Sequence, residues 1–290
     1  FFIVFTIIST FTSCFPVPSD DDITSTDDGS GSLTLSIRTA ARISDQQIPM
    51  SGSTRASSIS DFCSRLQLAV FQGDQRVKNL SQTSADANFG NLTLRLDPGD
   101  YQLVILAHSG LGNATISTPE KVTFKDNKLT DTFLYYTTVS LTESSELDAV
   151  LYRVVAAFRL VITEPIPADV SSLKFYYIGG SSTLDATTGF GCVQSKQTEY
   201  REITTDLIGI AETRHTIFTF PHEDPDQLNI NVKALDAVGN TLFEQQFDGY
   251  QIRPNYITQH SDPFFQSTQN NITFAPSIYN DGAWAGTTQQ

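Results

Sequence analysis

From Leu33 onward, hydrophobic and polar residues trade places in steps of two. Leu33, Leu35 and Ile37 alternate with Thr34 and Ser36, so one face of an extended chain is apolar and the other hydroxylated. A Ser-rich stretch from about Ala41 to Ser60 interrupts the alternation and is expected to be a loop. Leu66, Leu68 and Val70 resume the pattern. In the run NLTLRLDPGDYQLVILA, Leu92, Leu94 and Leu96 precede the turn-forming group Asp97-Pro98-Gly99-Asp100, and Tyr101, Leu103 and Ile105 follow it. That arrangement predicts a β-hairpin. Further strands are expected over Lys121 to Phe124 and Thr132 to Leu141.

The segment AVLYRVVAAFRLVIT, residues 149–163, is long enough for a helix. Yet Val150, Tyr152, Val154, Ala156, Phe158, Leu160 and Ile162 alternate without a break, with Arg153 and Arg159 on the other face, which predicts one long strand. Pro165 and Pro167 end it, because proline has no N–H to give to a ladder. A second series of strands is expected at Leu173 to Ile178, Thr216 to Phe220, Leu228 to Ala234, Thr241 to Phe247 and Asn271 to Phe274. No stripe with a 3.6-residue period persists for four turns. Many short strands, split around residue 148, predict an all-β chain of two β-sandwiches in tandem, over residues 33–148 and 149–290.

Ahead of the strands, residues 1–12 carry no charge. About a dozen residues cannot cross ~30 Å of hydrocarbon as a helix, which takes roughly 20. The length suits the apolar part of a secretory signal, and a charged start ahead of Phe1 would complete it. The stretch FTSC, ending at Cys14, resembles a bacterial lipobox, with Phe11 where leucine is usual. That resemblance implies a signal over residues 1–13 and a covalent lipid, a diacylglycerol thioether, on the Cys14 sulfur. Several acyl chains at ~0.8 kcal/mol per buried methylene hold a domain on a membrane where one chain does not. The alternative is an unmodified cysteine in a discarded signal. Residues 15–32, FPVPSDDDITSTDDGSGS, have almost nothing to bury and predict a flexible acidic tether, so that 14–32 form a lipidated cysteine and its linker. Asp20, Asp21 and Asp22 resemble the acidic export tag of surface lipoproteins of Bacteroidales, and a solvated acidic linker accounts for them equally well.

With 290 residues, two domains are the better expectation than one. The 18 basic and 32 acidic side chains leave a formal charge of −14, which argues against nucleic acid, whose phosphates need a basic footprint. Abundant Phe and Tyr beside Ser, Thr, Asn and Gln suit strands with polar outer faces. Three cysteines make no disulfide framework. With Cys14 lipidated, Cys63 and Cys192 are expected as separate buried thiols in different domains.

Catalytic and metal-binding patterns are thin. There is no Gly-x-Ser-x-Gly elbow, phosphate loop or zinc helix, and His108, His215, His222 and His260 have no metal-pair spacing. The HEDPD group, His222 to Asp226, concentrates carboxylates that could form part of a calcium site, although a charged loop between strands is the plainer reading. The glycine-rich IGGSSTLDATTGFGCVQS, residues 178–195, lacks the Gly-Lys-Ser end of a phosphate cradle and reads as an irregular loop. Tyr135-Tyr136, Tyr176-Tyr177 and Trp284 are candidates for stacking on sugar rings; neighbours on a strand point oppositely, so one of each pair is expected in the core. Sequons at Asn79, Asn91, Asn113 and Asn271 matter only in a eukaryotic secretory pathway, which the lipobox-like stretch argues against.

Taken together, the lipobox-like cysteine, the acidic tether, LYRVVAAFRLVIT, LKFYYIGGSSTLDATTGFGC and the late segment RPNYITQHSDPFF (253–265) resemble the FimB family of fimbrial anchor subunits of Bacteroidales, part of the type V pilus system. The resemblance covers nearly the whole chain after Cys14. It implies two transthyretin-like sandwiches, no catalysis and no cofactor beyond the lipid. It also implies an outer-membrane, surface-exposed base that joins fimbrial pilin subunits by β-strand complementation. Arg42 and Arg55 lie in the Ser-rich stretch where stalk subunits of such pili are cut, and anchors are expected to stay uncut. The alternative function is a surface lipoprotein that binds glycan through exposed aromatics.

Overall fold

The computed structural model describes residues 31–42, 57–224, 226–266, 278–279, 284 and 286–289. Strands dominate these residues. The first nine are β1 (Leu33–Arg42), β2 (Arg65–Gln72), β3 (Gln75–Thr83), β4 (Asn91–Leu96), β5 (Gly99–His108), β6 (Thr115–Thr118), β7 (Lys121–Thr123), β8 (Thr132–Leu141) and β9 (Ser145–Arg153). Seven of these form one sheet in the order β3-β2-β5-β8-β9-β1-β4. β8 and β9 are joined through only two residue pairs, Phe133 with Arg153 and Leu134 with Tyr152. At that corner the sheet turns back on itself. Leu66, Leu68, Leu103 and Ile105 from one layer meet Leu35, Ile37, Leu94 and Leu151 from the other in a single core. This is the sandwich arrangement that period-two patterning calls for.

The remaining strands are β10 (Ala156–Ile162), β11 (Ser172–Gly180), β12 (Thr183–Asp185), β13 (Phe190–Gly191), β14 (Ser195–Glu202), β15 (Thr213–Thr219), β16 (Asp226–Leu235), β17 (Thr241–Ile252), β18 (Tyr256–Asp262), β19 (Ile278–Tyr279) and β20 (Gly286–Gln289). A five-stranded sheet, β15-β10-β18-β20-β19, lies over a four-stranded one, β14-β11-β16-β17. Phe158, Leu160, Phe175, Tyr177, Ile230 and Phe247 fill the core between them. The short strands β13-β12-β7-β6 make a small sheet drawn from both stretches of chain.

Three expectations need correction. The first is the hairpin. β4 pairs with β1, whereas β5 pairs with β2 and β8, so the Asp97-Pro98-Gly99-Asp100 turn carries the chain from one layer to the other. Leu94 and Ile105 sit in the same core, facing each other across the sandwich instead of lying side by side in a ladder. Period two says which face is apolar, and that face is the same in a hairpin and in an arch between layers.

The second is the long junction strand. It is two strands, with Val154 and Val155 between them. β9 turns Ala149, Leu151 and Arg153 inward and leaves Tyr152 exposed, the reverse of the expected phase. β10 is buried on both faces, with Phe158 and Leu160 in one core and Ala157 in another. The third is the glycine-rich stretch, which is the β12–β13 hairpin, paired at Leu184 with Gly191 and Asp185 with Phe190. Its glycines answer a packing need: a Cβ on Gly179 would run into the Gln227 carbonyl, and one on Gly191 into Ser181.

A third core joins the two stretches. Ala69, Phe71, Val104 and Leu106 from the backs of β2 and β5 pack with Phe124, Val155, Leu184, Phe220 and Ile257. β5 is therefore covered on both faces, which accounts for its unbroken apolar run of LVILA.

Candidate functional site

The titratable residues singled out from the sequence do not converge. His108 is buried; its Nδ1 accepts the Gly110 N–H at 3.0 Å, which leaves Nε2 to donate to Gln67 Oε1 at 3.3 Å. Burial, with Arg65 nearby, lowers its pKa to about 4. His215 lies beside Thr213 Oγ1 at 3.1 Å, and burial with the Arg201 charge likewise lowers it to about 4. Both are neutral core side chains. His260 Nδ1 is 2.6 Å from the Tyr250 hydroxyl, and His222 meets the Val193 carbonyl. Among the described residues no group of three His, Cys, Asp or Glu is placed to hold a metal ion. Glu223 and Asp224 of the HEDPD group are exposed in the connection leading to β16.

Cys63 is buried under the Asp131 carbonyl, and burial pushes its thiol pKa far up. Cys192 is exposed, which corrects the expectation of a second buried thiol. It lies on the rim of the small sheet, its Sγ 3.7 Å from the Glu120 and Thr183 carbonyls. Cys14, the Asp20-Asp21-Asp22 group, Arg55 and the strand expected at Asn271 to Phe274 lie outside the described residues. No helix among the described residues is long and apolar enough to cross a membrane.

Of the five aromatics nominated for sugar stacking, only Tyr176 is exposed. Tyr135 packs on the first core and Tyr136 on the third. Tyr177 is buried, its hydroxyl shared between Glu199 and the Phe218 carbonyl. Trp284 is only 8% exposed. The Arg153 guanidinium lies 4.0 Å from the Trp284 ring centre and 4.7 Å from that of Phe133. Arg153 also holds Asp131 through two bonds of 2.6 and 2.8 Å and donates to Asn255 Oδ1 at 2.9 Å. Sequence reasoning placed this arginine on the outer face. The missed signal was Asp131, a carboxylate just before β8 and opposite the end of β9.

Among the described residues the sheets leave main-chain edges. The seven-stranded sheet ends in β3 and β4, the two large sheets of the second sandwich in β15, β19, β14 and β17, and the small sheet in β13 and β6. The chain belongs to the family of fimbrillin-A associated anchor proteins Mfa1 and Mfa2, whose model matches residues 25–277. No curated protein matches the sequence. Among solved structures, a protein of Bacteroides ovatus described as a candidate adhesin superposes with a TM-score of 0.51 at 11% identity, over 80% of this chain and 88% of its own. The fimbrial anchor protein Mfa2 from Porphyromonas gingivalis gives a TM-score of 0.43 at 11% identity, over 74% and 82% of the two chains. At 11% identity the likeness to the Bacteroides ovatus protein speaks for the fold alone.

Proposed function

We propose that the protein is a lipid-anchored, non-catalytic subunit of a fimbria, held in the outer membrane through Cys14 and joined to pilin subunits by β-strand complementation. The observation that carries this is membership of the fimbrial anchor family over residues 25–277. The physical support lies at the two ends of the role. At the membrane end, an uncharged run ends in FTSC and is followed by a tether rich in aspartate, the composition of a thiol acylated at the membrane with a hydrated linker beyond it. At the fimbrial end, sheets with free edges offer rows of N–H and C=O groups that an extended strand can pair, with side-chain pockets adding selectivity.

Two measurements test the two ends separately. Detergent extraction of native membranes followed by capture of this chain is expected to bring down fimbrial subunits. Selective retention on glycans with no pilin in the eluate would replace the proposal with the glycan-binding alternative. Cys14→Ala is expected to move the protein from the detergent phase to the aqueous phase, and unchanged partitioning would dismiss the lipid.

A further inference from the structure

We propose that the outward edge of β4, at Thr93 and Arg95, is where a fimbrial subunit adds its strand. The inference deepens the strand-complementation reading above and rests on it.

The direction of the main-chain groups follows from two hydrogen bonds. β4 runs antiparallel to β1, and the Thr39 N–H donates to the Gly90 carbonyl at 2.9 Å, so Gly90 aims its carbonyl at β1. In an antiparallel pair, alternate residues send both main-chain groups to the same side. Leu92, Leu94 and Leu96 share the side of the Gly90 carbonyl, and Asn91, Thr93 and Arg95 face away. The Asn91 carbonyl agrees: it accepts from Gln82 Nε2 at 2.8 Å, and Gln82 belongs to β3, the opposite edge of the sheet.

Gln82 therefore closes one end of a seam between the two edges. Its Nε2 also reaches the Asn88 carbonyl and its Oε1 accepts the Gly90 N–H at 3.1 Å. Beyond that closure, Thr93 and Arg95 turn their N–H and C=O groups away from β1, and Thr93 lines a cleft of about 260 Å³ with Leu80, Ser81, Gln82 and Leu92 among others. Both Thr93 and Arg95 side chains are exposed on the outer face, while Leu92, Leu94 and Leu96 point to the core.

The other edges of the large sheets are guarded. β3 has five exposed residues in a row and carries Arg76 and Lys78. β14 carries Lys196, Glu199, Arg201 and Glu202. β17 is irregular, with two register shifts against β16. On β15 the Thr216 carbonyl is taken by the Arg201 guanidinium and that of Phe218 by the Tyr177 hydroxyl. β6, β13, β19 and β20 are four residues or fewer. The occupant suited to β4 is an extended pilin segment with apolar residues at alternate positions, to continue the leucine face, and a carboxylate opposite Arg95.

The test uses the full chain and the fimbrial subunits captured with it. Hydrogen exchange of the Thr93 and Arg95 amides, which face away from β1, is expected to slow at least tenfold on adding the subunits. Thr93→Pro removes an outward N–H that gives nothing to β1, so the fold should survive, as its circular dichroism would report, while capture falls at least tenfold. Thr93→Val keeps the N–H and should keep capture. Capture with protection appearing on another edge, or capture unchanged by Thr93→Pro in a folded variant, overturns this site and leaves the proposed function standing. If Thr93→Pro does not fold, the exchange measurement on the unaltered chain decides. Absence of any captured subunit would sink both.

Discussion

Two histidines show how a side chain of common type is set by its surroundings. His108 and His215 have ordinary pKa values of 6.5 and folded values near 4, because burial disfavours the charged ring. Between these values the unfolded chain binds protons that the folded chain refuses. Stability from both residues is therefore complete above about pH 6.5 and is lost as pH falls toward 4, at most about 3 kcal/mol each. Urea midpoints measured between pH 7 and 4 should fall, and His108→Gln should flatten that slope. An unchanged slope would mean that His108 is already free to charge in the folded state. Neither histidine could be assigned from sequence: an isolated histidine has the same neighbours in the chain whether it is buried or not. Arg153 teaches the same lesson, since its burial depends on Asp131, Phe133 and Trp284, which are 22, 20 and 131 positions away in the sequence.

Elements were legible to different depths. The extents of β8 and β11 lie close to the expected runs, and in β11 buried and outward residues alternate, as a half-buried strand requires. Pairing was not legible. A turn such as Asp97-Pro98-Gly99-Asp100 allows a hairpin or an arch, and only the neighbours of β1 decide. The glycine-rich segment was readable as a non-cradle, yet its hairpin depends on close approach to strands distant in sequence. Gly179 has a φ of +97° and abuts the Gln227 carbonyl. Gly179→Ala should cost at least about 1–3 kcal/mol from backbone strain alone. Gly239, with φ +90° but open space around it, serves as the control in the same denaturation series. Equal losses at both positions would show that strain, without the collision, is the whole effect.

On the scale of the molecule, the third core makes the two sandwiches energetically one. Phe124 and Phe220, whose ring centres are 5.5 Å apart, come from the two stretches of chain and meet there. Calorimetry should give a single transition with equal calorimetric and van't Hoff enthalpies. Phe220→Ala should lower that one transition by about 3–5 kcal/mol without splitting it. Two separate transitions in the unaltered protein would show the sandwiches to be independent.

The sequence by itself determined the strand-rich class, the apolar face of most strands, the absence of familiar catalytic motifs and the resemblance to fimbrial anchors. These are properties of local pattern, and alternation, turn residues and motifs are local. Tertiary structure alone decided that β4 turns to β1, that β9 inverts its phase and buries Arg153, and that the backs of β2 and β5 are covered. It also decided which edge main-chain groups are left facing outward. Each of these depends on contacts between residues far apart in the chain, where burial and pairing are shared and no single stretch carries the signal.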